Sequence, residues 1–421
     1  MPVIDLKYGR TSIPFEFSDD QFEVLSHAAN SAALTDAEIG KALDRPIDSQ
    51  PLDEIVRAGE RVLLVVPDAT RQSGCAQIVN LVVRRLIANG SAPSDINIIF
   101  ATGIHRPVTD EEKQFLLTPF IAQRIKTLGH NANDLVRNFR VGETSNGIPV
   151  ELNWLLTEYD HVVLIGSVTF HYFAGFTGGR KLICPGLASA KTIEATHKLA
   201  FDCETRDRRT GVGTALLDGN PVHEAFQEAA SIIDPSFAIT TIVNDAGEVT
   251  DVYCGNWITS HRQACDSHLA SHSVEIGERR DVVITSCGGH PLDINMIQAH
   301  KTLEAASHAC KDGGTMILLA ECVDGLGRND FLDWFNFNNS DDLAIRLCAN
   351  YQVNGQTAWS LLRKTERFNV EILTSLDTHD VEKMGMKKIV DLAQVTRRLA
   401  AGHTGYILPV GSKIALKIKL S

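Results

Sequence analysis

Two histidines follow buried strands predicted from the sequence, in positions suited to proton transfer. His105 lies shortly after the apolar run INIIF, and His171 lies shortly after HVVLI. Histidine suits this chemistry because its unperturbed pKa of ~6.5 lies near neutral pH. A single histidine after a strand is more often structural. Because both follow strands of one predicted sheet, the pair favours acid–base chemistry.

A third strand-like run, RVLLVV, leads into Asp68, Thr70 and Arg71. The planar guanidinium of arginine matches a carboxylate with two parallel hydrogen bonds. Arg71 is therefore a candidate for holding a small acid, and an ion pair with Asp68 on the surface is the alternative. Further along the chain, Gln298 and Lys301 are three residues apart on a predicted helix and share one face. They are either further substrate contacts or part of a solvated surface.

The segment HYFAGFTGGRK, residues 171–181, combines glycines with two cations. Gly175, Gly178 and Gly179 allow close approach of the backbone to a ligand and offer N–H groups to an anion. Arg180 and Lys181 add positive charge. The run lacks the Gly-Lys-Ser/Thr ending of a P-loop, so it does not predict a nucleoside triphosphate site. An ordinary turn with two exposed cations is the alternative interpretation.

His197 lies near the end of a predicted helix and is the one candidate metal ligand of this region. Its imidazole could bind a borderline metal such as nickel, or could simply stabilise the end of the helix. No second histidine lies nearby in sequence, so spacing alone does not predict a metal site.

Short β-branched runs alternate with amphipathic segments along the chain, which predicts an α/β fold with mainly parallel sheets. The 421 residues suggest two domains. We place one α/β domain at 1–275, with the acid–base residues, and a second at 276–421. In such sheets ligands bind beyond the carboxyl ends of the strands.

The composition bounds the class of protein. The net charge of −12 disfavours nucleic acid and anionic membranes as general partners. No apolar run approaches the ~20 residues that span a bilayer, and the N-terminus lacks the apolar core of a signal peptide. The nine cysteines form no CxxC pair, which argues against a disulfide framework and a structural zinc site. We therefore expect a cytoplasmic protein.

Five segments together resemble the nickel-pincer lactate racemase family, and they are listed in chain order: DATR (68–71), ATGIHRP (101–107), HYFAGFTGGRK (171–181), SAKTIEATH (189–197) and GGHPLDINMIQAHK (288–301). This set is far more specific than any one segment. The resemblance implies two α/β domains with the active site in the cleft between them. It also implies dependence on proteins that make the family's cofactor.

The resemblance implies a role for each matching residue. Lys181 would carry the nickel-pincer nucleotide, a pyridinium-3-thioamide-5-thiocarboxylic acid mononucleotide of nickel, through a covalent bond, and His197 would bind its nickel. His105 and His171 would be the two acid–base residues. The remaining implied contacts are with the cofactor (Asp68, Thr70, Gly178, Gly179 and Arg180) and with the substrate (Arg71, Gln298, Lys301 and Gln356).

The resemblance implies inversion of a 2-hydroxy acid through a planar 2-keto acid. Where the family's lactate enzyme has aromatic residues, this chain has Ile297 and Gln356. We therefore predict a longer, hydroxylated substrate, such as gluconate or mannonate epimerised at C2. The alternatives are a racemase of lactate, malate or another short 2-hydroxy acid, and a non-catalytic protein that binds the nickel cofactor. A nicotinamide dehydrogenase ranks last, because no GxGxxG follows a strand at the right place.

Overall fold

In the computed structural model, which describes residues 1–27, 32–393 and 402–419, the chain forms two compact units. The central unit comprises Asn30–Ala200 and Thr210–His268, and the terminal unit comprises Met1–Ala29, Phe201–Arg209 and Leu269–Ser421. The chain therefore passes between the units four times. The predicted domain boundary at residue 275 lies near the last of these four passages, between His268 and Leu269. The division into domains at 1–275 and 276–421 stays a prediction.

Strands and helices alternate along much of the chain. The strands are β1 (Val3–Tyr8), β2 (Thr11–Glu16), β3 (Phe22–Val24), β4 (Val62–Pro67), β5 (Ile96–Ala101), β6 (Lys126–Leu128), β7 (Asn138–Glu143), β8 (Pro149–Asn153), β9 (His161–Ser167), β10 (Phe170–His171), β11 (Ala174–Phe176), β12 (Phe201–Asp202), β13 (Asp207–Arg208), β14 (Gly213–Thr214), β15 (Phe237–Val243), β16 (Val249–Gly255), β17 (Ser273–Ile276), β18 (Arg280–Ser286), β19 (Cys310–Leu319), β20 (Asn369–Leu373), β21 (Lys387–Ile389), β22 (Gly405–Leu408) and β23 (Ala415–Ile418). The α-helices are α1 (Asp36–Leu43), α2 (Leu52–Ile55), α3 (Cys75–Ala88), α4 (Asp110–Leu116), α5 (Pro119–Arg124), α6 (Ala190–Lys198), α7 (Pro221–Ser231), α8 (Thr259–His272), α9 (Met296–Ala299), α10 (Thr302–Ala309), α11 (Ser340–Ala349), α12 (Val353–Arg367) and α13 (Thr378–Lys383). Short 3-10 helices lie at Pro93–Asp95, Trp154–Thr157, Gly179–Leu182, Phe331–Phe335 and Gly411–Lys413.

The central unit is built around a six-stranded sheet in the order β16-β15-β9-β4-β5-β6. Its neighbouring strands are parallel except for the antiparallel pair β15 and β16. All six residues of β4 are buried, which is expected of a parallel strand covered on both faces. Helix α3 covers one face with apolar side chains at helical spacing, among them Ile78, Val82 and Leu86. The carboxyl ends of β4, β5 and β9 thus lie side by side.

The terminal unit contains a second six-stranded sheet, ordered β21-β20-β19-β18-β22-β3, with every neighbouring pair parallel. The predicted fold class, α/β with mainly parallel sheets in two bodies, is therefore confirmed. The edge strand β3 comes from the N-terminus, and the hairpin of β12 and β13 comes from residues 201–209. The local sequence pattern does not predict that β3 and the β12–β13 hairpin join the terminal unit.

The predicted helix that carries Gln298 and Lys301 is instead two helices. Asn295 caps α9 by accepting a hydrogen bond from the Gln298 N–H, and α10 begins after Lys301. Gln298 lies in α9 and Lys301 immediately precedes α10. Contrary to the prediction from the sequence, the two residues therefore do not share a face of one continuous helix. Their side chains still meet, since Lys301 Nζ donates to Gln298 Oε1 at 2.7 Å.

One disulfide, Cys203–Cys348, joins the β12–β13 hairpin to α11 within the terminal unit. The scattered cysteines argue against a disulfide framework and do not predict this single bridge. The sequence separation of 145 residues gives no local signal for it. Within the described residues, no helix has both the length and the apolar composition needed to cross a bilayer.

Candidate active site

The loop after β4 orients His105. Asp68 Oδ2 accepts a hydrogen bond from His105 Nδ1 at 2.6 Å, and Asp68 Oδ1 accepts from the N–H and hydroxyl of Thr70. Burial opposes ionisation of Asp68, but His105, Arg71 and Thr70 lower its pKa to about 2. The carboxylate is thus ionised and fully engaged. Because Nδ1 of His105 carries the donated proton, Nε2 is left as the proton acceptor.

His171 is held in the opposite tautomer. Its Nδ1 lies 3.3 Å from the backbone N–H of Ala174 and 3.5 Å from that of Phe173, and both can only donate. A neutral imidazole whose Nδ1 accepts carries its proton on Nε2. The side chain is only 6% exposed. His105 and His171 are therefore arranged as a proton acceptor and a hydrogen-bond donor.

The loop of His105 is joined to the segment that carries Lys181. Gly103 N–H donates to Gly186 O at 2.8 Å, and Gly186 N–H donates to Lys181 O at 3.0 Å. Gly103 has φ +54°, and a Cβ there would lie 3.3 Å from Pro185 O. Glycine is thus needed for this close approach. These contacts place the carboxyl end of β5 beside the turn of Lys181.

Lys181 and His197 share two aromatic neighbours. Lys181 Nζ lies 5.6 Å from the ring centroid of Phe173 and 5.1 Å from that of Phe226. The imidazole of His197 lies 5.2 Å and 5.3 Å from the same two rings. Phe173 also contacts His171, at a centroid distance of 4.4 Å. The amine, both imidazoles and the two phenylalanines therefore form one cluster.

The geometry of His197 fits a metal ligand. Its Nδ1 lies 2.8 Å from Ile193 O, and a carbonyl accepts, so Nδ1 carries the proton. Nε2 then keeps its lone pair, which is the arrangement found for metal-binding histidines. Among the described residues, no group of three or more His, Cys, Asp or Glu side chains could hold a metal ion. A metal bound by His197 would therefore not be held by such a cluster of described side chains.

The glycine-rich turn is shaped by contacts within the protein. A Cβ on Gly175 would lie 2.1 Å from Leu216 O, one on Gly178 would lie 2.7 Å from Ser167 O, and one on Gly179 would lie 2.6 Å from the ring of His261. All three have positive φ values. These glycines are thus required by local packing, whatever ligand the turn binds.

Arg180 is buried, so the interpretation of residues 171–181 as an ordinary turn with two exposed cations is wrong. The side chain is 1% exposed, and its terminal nitrogens contact Ala174 O at 2.8 Å and His261 Nε2 at 3.2 Å. It forms no ion pair with a described carboxylate. Burial, followed by the charge of Arg180, lowers the pKa of His261 to about 3. The turn therefore contains an uncompensated positive charge that favours a bound anion.

Arg71 has an available guanidinium. Its side chain makes no hydrogen bond or ion pair with any residue that the structure describes, and its backbone N–H donates to Asp68 O at 3.3 Å. The surface ion pair weighed as the alternative for Arg71 is therefore not formed, although Asp68 is close enough for its charge to act on Arg71. The loop itself is fixed, because Ser167 Oγ donates to Gln72 O at 2.8 Å.

The other predicted substrate residues lie in the terminal unit. Gln298 and Gln356 are both buried. Gln298 Oε1 accepts from Lys301, and Gln356 Oε1 accepts from the hydroxyl of Tyr351 at 2.6 Å. Trp359 packs edge-on against Phe201, with centroids 4.9 Å apart. Tyr351 is an aromatic neighbour of Gln356 that the sequence analysis did not identify.

Phe226 was also missed. It lies on α7 among residues spaced as an ordinary amphipathic helix, so its pattern predicts only burial. The cap of that helix explains its position, because Asn220 Nδ2 donates to Phe173 O at 2.9 Å. An asparagine before a proline-initiated helix was the available signal for a cap. It does not reveal which segment the cap contacts.

Two family models match the chain. Residues 8–208 match the lactate racemase N-terminal domain, and residues 277–403 match the lactate racemase C-terminal domain. The chain is 32% identical to the lactate racemase of Lactiplantibacillus plantarum over 347 residues, which cover 81% of this chain and 80% of the relative. It is 29% identical to the lactate racemase of Thermoanaerobacterium thermosaccharolyticum over 341 residues, which cover 80% and 78%.

Two solved structures are similar. The lactate racemase apoprotein of Thermoanaerobacterium thermosaccharolyticum superimposes with a TM-score of 0.87 at 25% identity, covering 99% of this chain and 100% of that one. A protein of Thermotoga maritima superimposes with a TM-score of 0.72 at 19% identity, covering 93% and 100%. The second likeness concerns the fold alone.

Proposed function

Because this chain belongs to the lactate racemase family, we propose that it inverts C2 of a short 2-hydroxy acid with a nickel-pincer nucleotide held by Lys181 and His197. The chain is an isomerase of the racemase type. The observation that carries the detailed proposal is the complementary hydrogen bonding of His105 and His171. Both lie in the central unit with Lys181 and His197.

The chain's own residues supply binding and proton transfer. Arg71, whose guanidinium pairs with no described side chain, lies beside a fixed loop; it binds the substrate carboxylate and keeps it still while the carbon inverts. His105 Nε2 accepts the hydroxyl proton, and the carboxylate of Asp68 stabilises the imidazolium that results. His171, whose Nε2 carries a proton, donates a hydrogen bond to the substrate oxygen, and the imidazolium of His105 returns its proton when the hydroxyl is restored. The proton taken from the substrate is thus given back to it, so the same two imidazoles serve either enantiomer without net gain or loss of a proton.

The residues present fit the nickel cofactor. The lone pair of His197 Nε2 is the nickel ligand, the amine of Lys181 is the covalent attachment point, and Phe173 and Phe226 form an apolar wall. Arg180 adds positive charge beside a turn suited to the phosphate, and we retain Gly178, Gly179 and Arg180 as cofactor contacts. The cofactor, when bound, supplies a reversible acceptor for the hydride of the substrate carbon.

Asp68 and Thr70 are better assigned to positioning. Both carboxylate oxygens of Asp68 are engaged, by His105 and by Thr70. A direct bond to the cofactor would compete with these contacts. We therefore propose that Asp68 acts through His105, and that Thr70 acts through Asp68.

The substrate is a short 2-hydroxy acid, and lactate is the first candidate. The relatives named above are lactate racemases, which supports the alternative weighed from the sequence over a gluconate–mannonate epimerase. The case for an aldonate rested on the missing aromatic side chains at Ile297 and Gln356. Tyr351 lies against Gln356 through a 2.6 Å hydrogen bond, so an aromatic ring is present beside that position. Proteins that synthesise the cofactor are proposed partners.

The test is turnover of each lactate enantiomer by protein co-expressed with cofactor-synthesis proteins, followed by chiral chromatography. We expect racemisation of lactate, a fall of at least ~100-fold in His105→Ala and His171→Ala, and loss of bound nickel in His197→Ala. The exposed His379 provides a matched control, and His379→Ala should keep both nickel and activity. Malate and gluconate complete the substrate panel.

The outcomes separate the alternatives. Gluconate epimerisation without lactate turnover would restore the aldonate as substrate. Full nickel content without turnover of any hydroxy acid would support a cofactor-binding protein. Undiminished nickel in His197→Ala, or an unmodified Lys181 in the intact mass of active protein, would refute the proposed attachment.

A further inference from the structure

The terminal unit contains a cavity of about 260 Å³ with a strongly basic lining. Most of its charged lining residues are cations: Arg208, Arg279, Arg363, Lys364 and Arg367, with His308 beside them. The carboxylates that line it are Asp207 and Glu304. In a chain with net charge −12, this concentration of positive charge is a local feature that needs an explanation.

The floor of the cavity is a buried ion network. Glu304 lies 2.6 Å from Arg208 Nη1 and 2.9 Å from Lys364 Nζ. Glu304 and Lys364 are each 7% exposed. Because one carboxylate serves two cations here, the network keeps one positive charge in excess.

Arg279 adds a second uncompensated charge. Its Nε donates to His308 O at 3.3 Å, and it forms no ion pair within the part of the chain that the structure describes. The two remaining arginines are paired, Arg363 with Asp207 and Arg367 with Asp312. Five cations thus lie beside three carboxylates, an excess of two positive charges.

The remaining wall is aromatic. Trp359 lines the cavity beside Arg363, whose guanidinium carbon lies 5.6 Å from its ring centroid. The indole Nε1 of Trp359 is buried and has no hydrogen-bond partner among the described residues, which is unusual for a buried donor. Phe368 lies at the same wall. The cavity therefore combines a site for an anion with a surface for an organic group.

The position of the cavity separates it from the proposed substrate residues of this unit. Arg279 immediately precedes β18, and Phe368 immediately precedes β20, so the cavity lies at the amino ends of these parallel strands. Gln298 follows the carboxyl end of β18. Seven residues of strand span roughly 20 Å at ~3.3 Å per residue.

We propose that this cavity binds a small dianionic phosphate ester, with the phosphate held by Arg279 and by the Arg208–Lys364 pair. Arginine and lysine are the side chains that recognise phosphate oxygens, and two excess positive charges match a dianion. The volume is slightly below the ~300 Å³ at which sites for drug-sized ligands begin, so the organic part is small. It packs on Trp359 and Phe368. This site is distinct from the proposed reaction site, because none of its lining residues is among those proposed to bind the substrate or the cofactor.

The test is calorimetric titration of the full chain, made without cofactor, with glycerol 3-phosphate at low ionic strength. We expect one binding site per chain, weaker binding as salt is raised, and at least ~10-fold weaker binding by Arg279→Glu. Arg346, an exposed arginine of α11 in the same unit, gives the matched control. Arg346→Glu should bind as the parent does.

A second variant guards against misfolding. His308, whose side chain is half exposed, can be replaced by glutamate at the mouth of the cavity without removing an ion of the floor. His308→Glu should also weaken binding, with an unchanged circular dichroism spectrum. Binding that survives both Arg279→Glu and His308→Glu, equal loss in Arg346→Glu, or no binding by the parent would overturn the proposal. Succinate in place of the phosphate ester distinguishes a general dianion site, since equal affinity would contradict phosphate selectivity.

Discussion

At the scale of single residues, the two candidate acid–base histidines differ in what their Nδ1 atoms contact. His105 donates from Nδ1 to a carboxylate, whereas His171 accepts at Nδ1 from backbone N–H groups. This difference follows from position: one side chain faces the loop after β4, and the other lies at the start of a tight turn. The sequence predicts both histidines but not their tautomers, which depend on contacts with residues on other segments.

Replacing Asp68 tests the positioning of His105. In Asp68→Asn the amide can donate to Nδ1, which moves the imidazole proton to Nε2 and removes the proton acceptor. We expect kcat to fall by about 10²–10⁴-fold with nickel content unchanged, measured by lactate racemisation and metal analysis. Asp110→Asn, which removes an exposed carboxylate paired only with Lys113, is the control.

The equilibrium provides an internal check on this variant. Because the two enantiomers of lactate have equal free energy, kcat/KM must fall by the same factor in both directions. Activity within a few-fold of the parent would show that the carboxylate of Asp68 does not orient the base. Loss of nickel together with activity would instead assign Asp68 to cofactor binding.

At the scale of elements, the central strands were predicted well because their burial on both faces gives uninterrupted apolar runs. Residues 369–373 form strand β20, and Thr109 caps α4 through a full capping box with Glu112. The break between α9 and α10 at His300 and Lys301 was missed, since both residues keep helical backbone angles and carry no helix-breaking signal in the sequence. The hairpin at 201–209 was missed because its two-residue strands carry no periodicity.

The turn before Lys181 yields a prediction about stability. Gly179 has φ +51°, and a Cβ there would lie 2.6 Å from the ring of His261. We expect Gly179→Ala to lower the free energy of unfolding by about 1–3 kcal/mol, measured by urea denaturation. Gly40 of α1 has open space around it, so Gly40→Ala should stabilise the same unit by up to about 1 kcal/mol. Similar stability of the two variants would refute the packing argument.

At the scale of the whole molecule, several buried imidazoles make stability depend on pH. Burial is the main cause that lowers the pKa of His130 to about 4, and of His223, His261 and His300 to about 3. His130 shows how a neutral ring is satisfied: Nε2 donates to Ala188 O, and Nδ1 accepts from Asn153. Protonation of Nδ1 would break the hydrogen bond that His130 accepts from Asn153.

The sign of the effect follows from linkage. The unfolded chain binds these protons with a pKa of ~6.5 and the folded chain does not, so stability is full above that pH and falls on acidification toward pH 4. In this window each histidine lowers the free energy of unfolding by up to about 1.4 kcal/mol for each pH unit of acidification. Asp68, whose pKa is lowered to about 2, adds a loss only below about pH 4.

Thermal denaturation between pH 7.5 and pH 5 checks this expectation. The midpoint should fall steadily, and His130→Gln should reduce the slope by removing one titrating ring while keeping polar groups for Ala188 and Asn153. A flat profile, or an unchanged slope in His130→Gln, would show that these rings are protonated in the folded state.

The edge strand at the N-terminus has a consequence for synthesis of the protein. Phe22 in β3 pairs with Gly405 in β22, so β3 has no partner until β22 has left the ribosome. At ~5–20 residues per second, that wait lasts roughly 20–80 s. The central sheet, complete once β16 ends at Gly255, can assemble meanwhile. The nascent chain is therefore expected to fold its central unit first, while β3 remains exposed to chaperones.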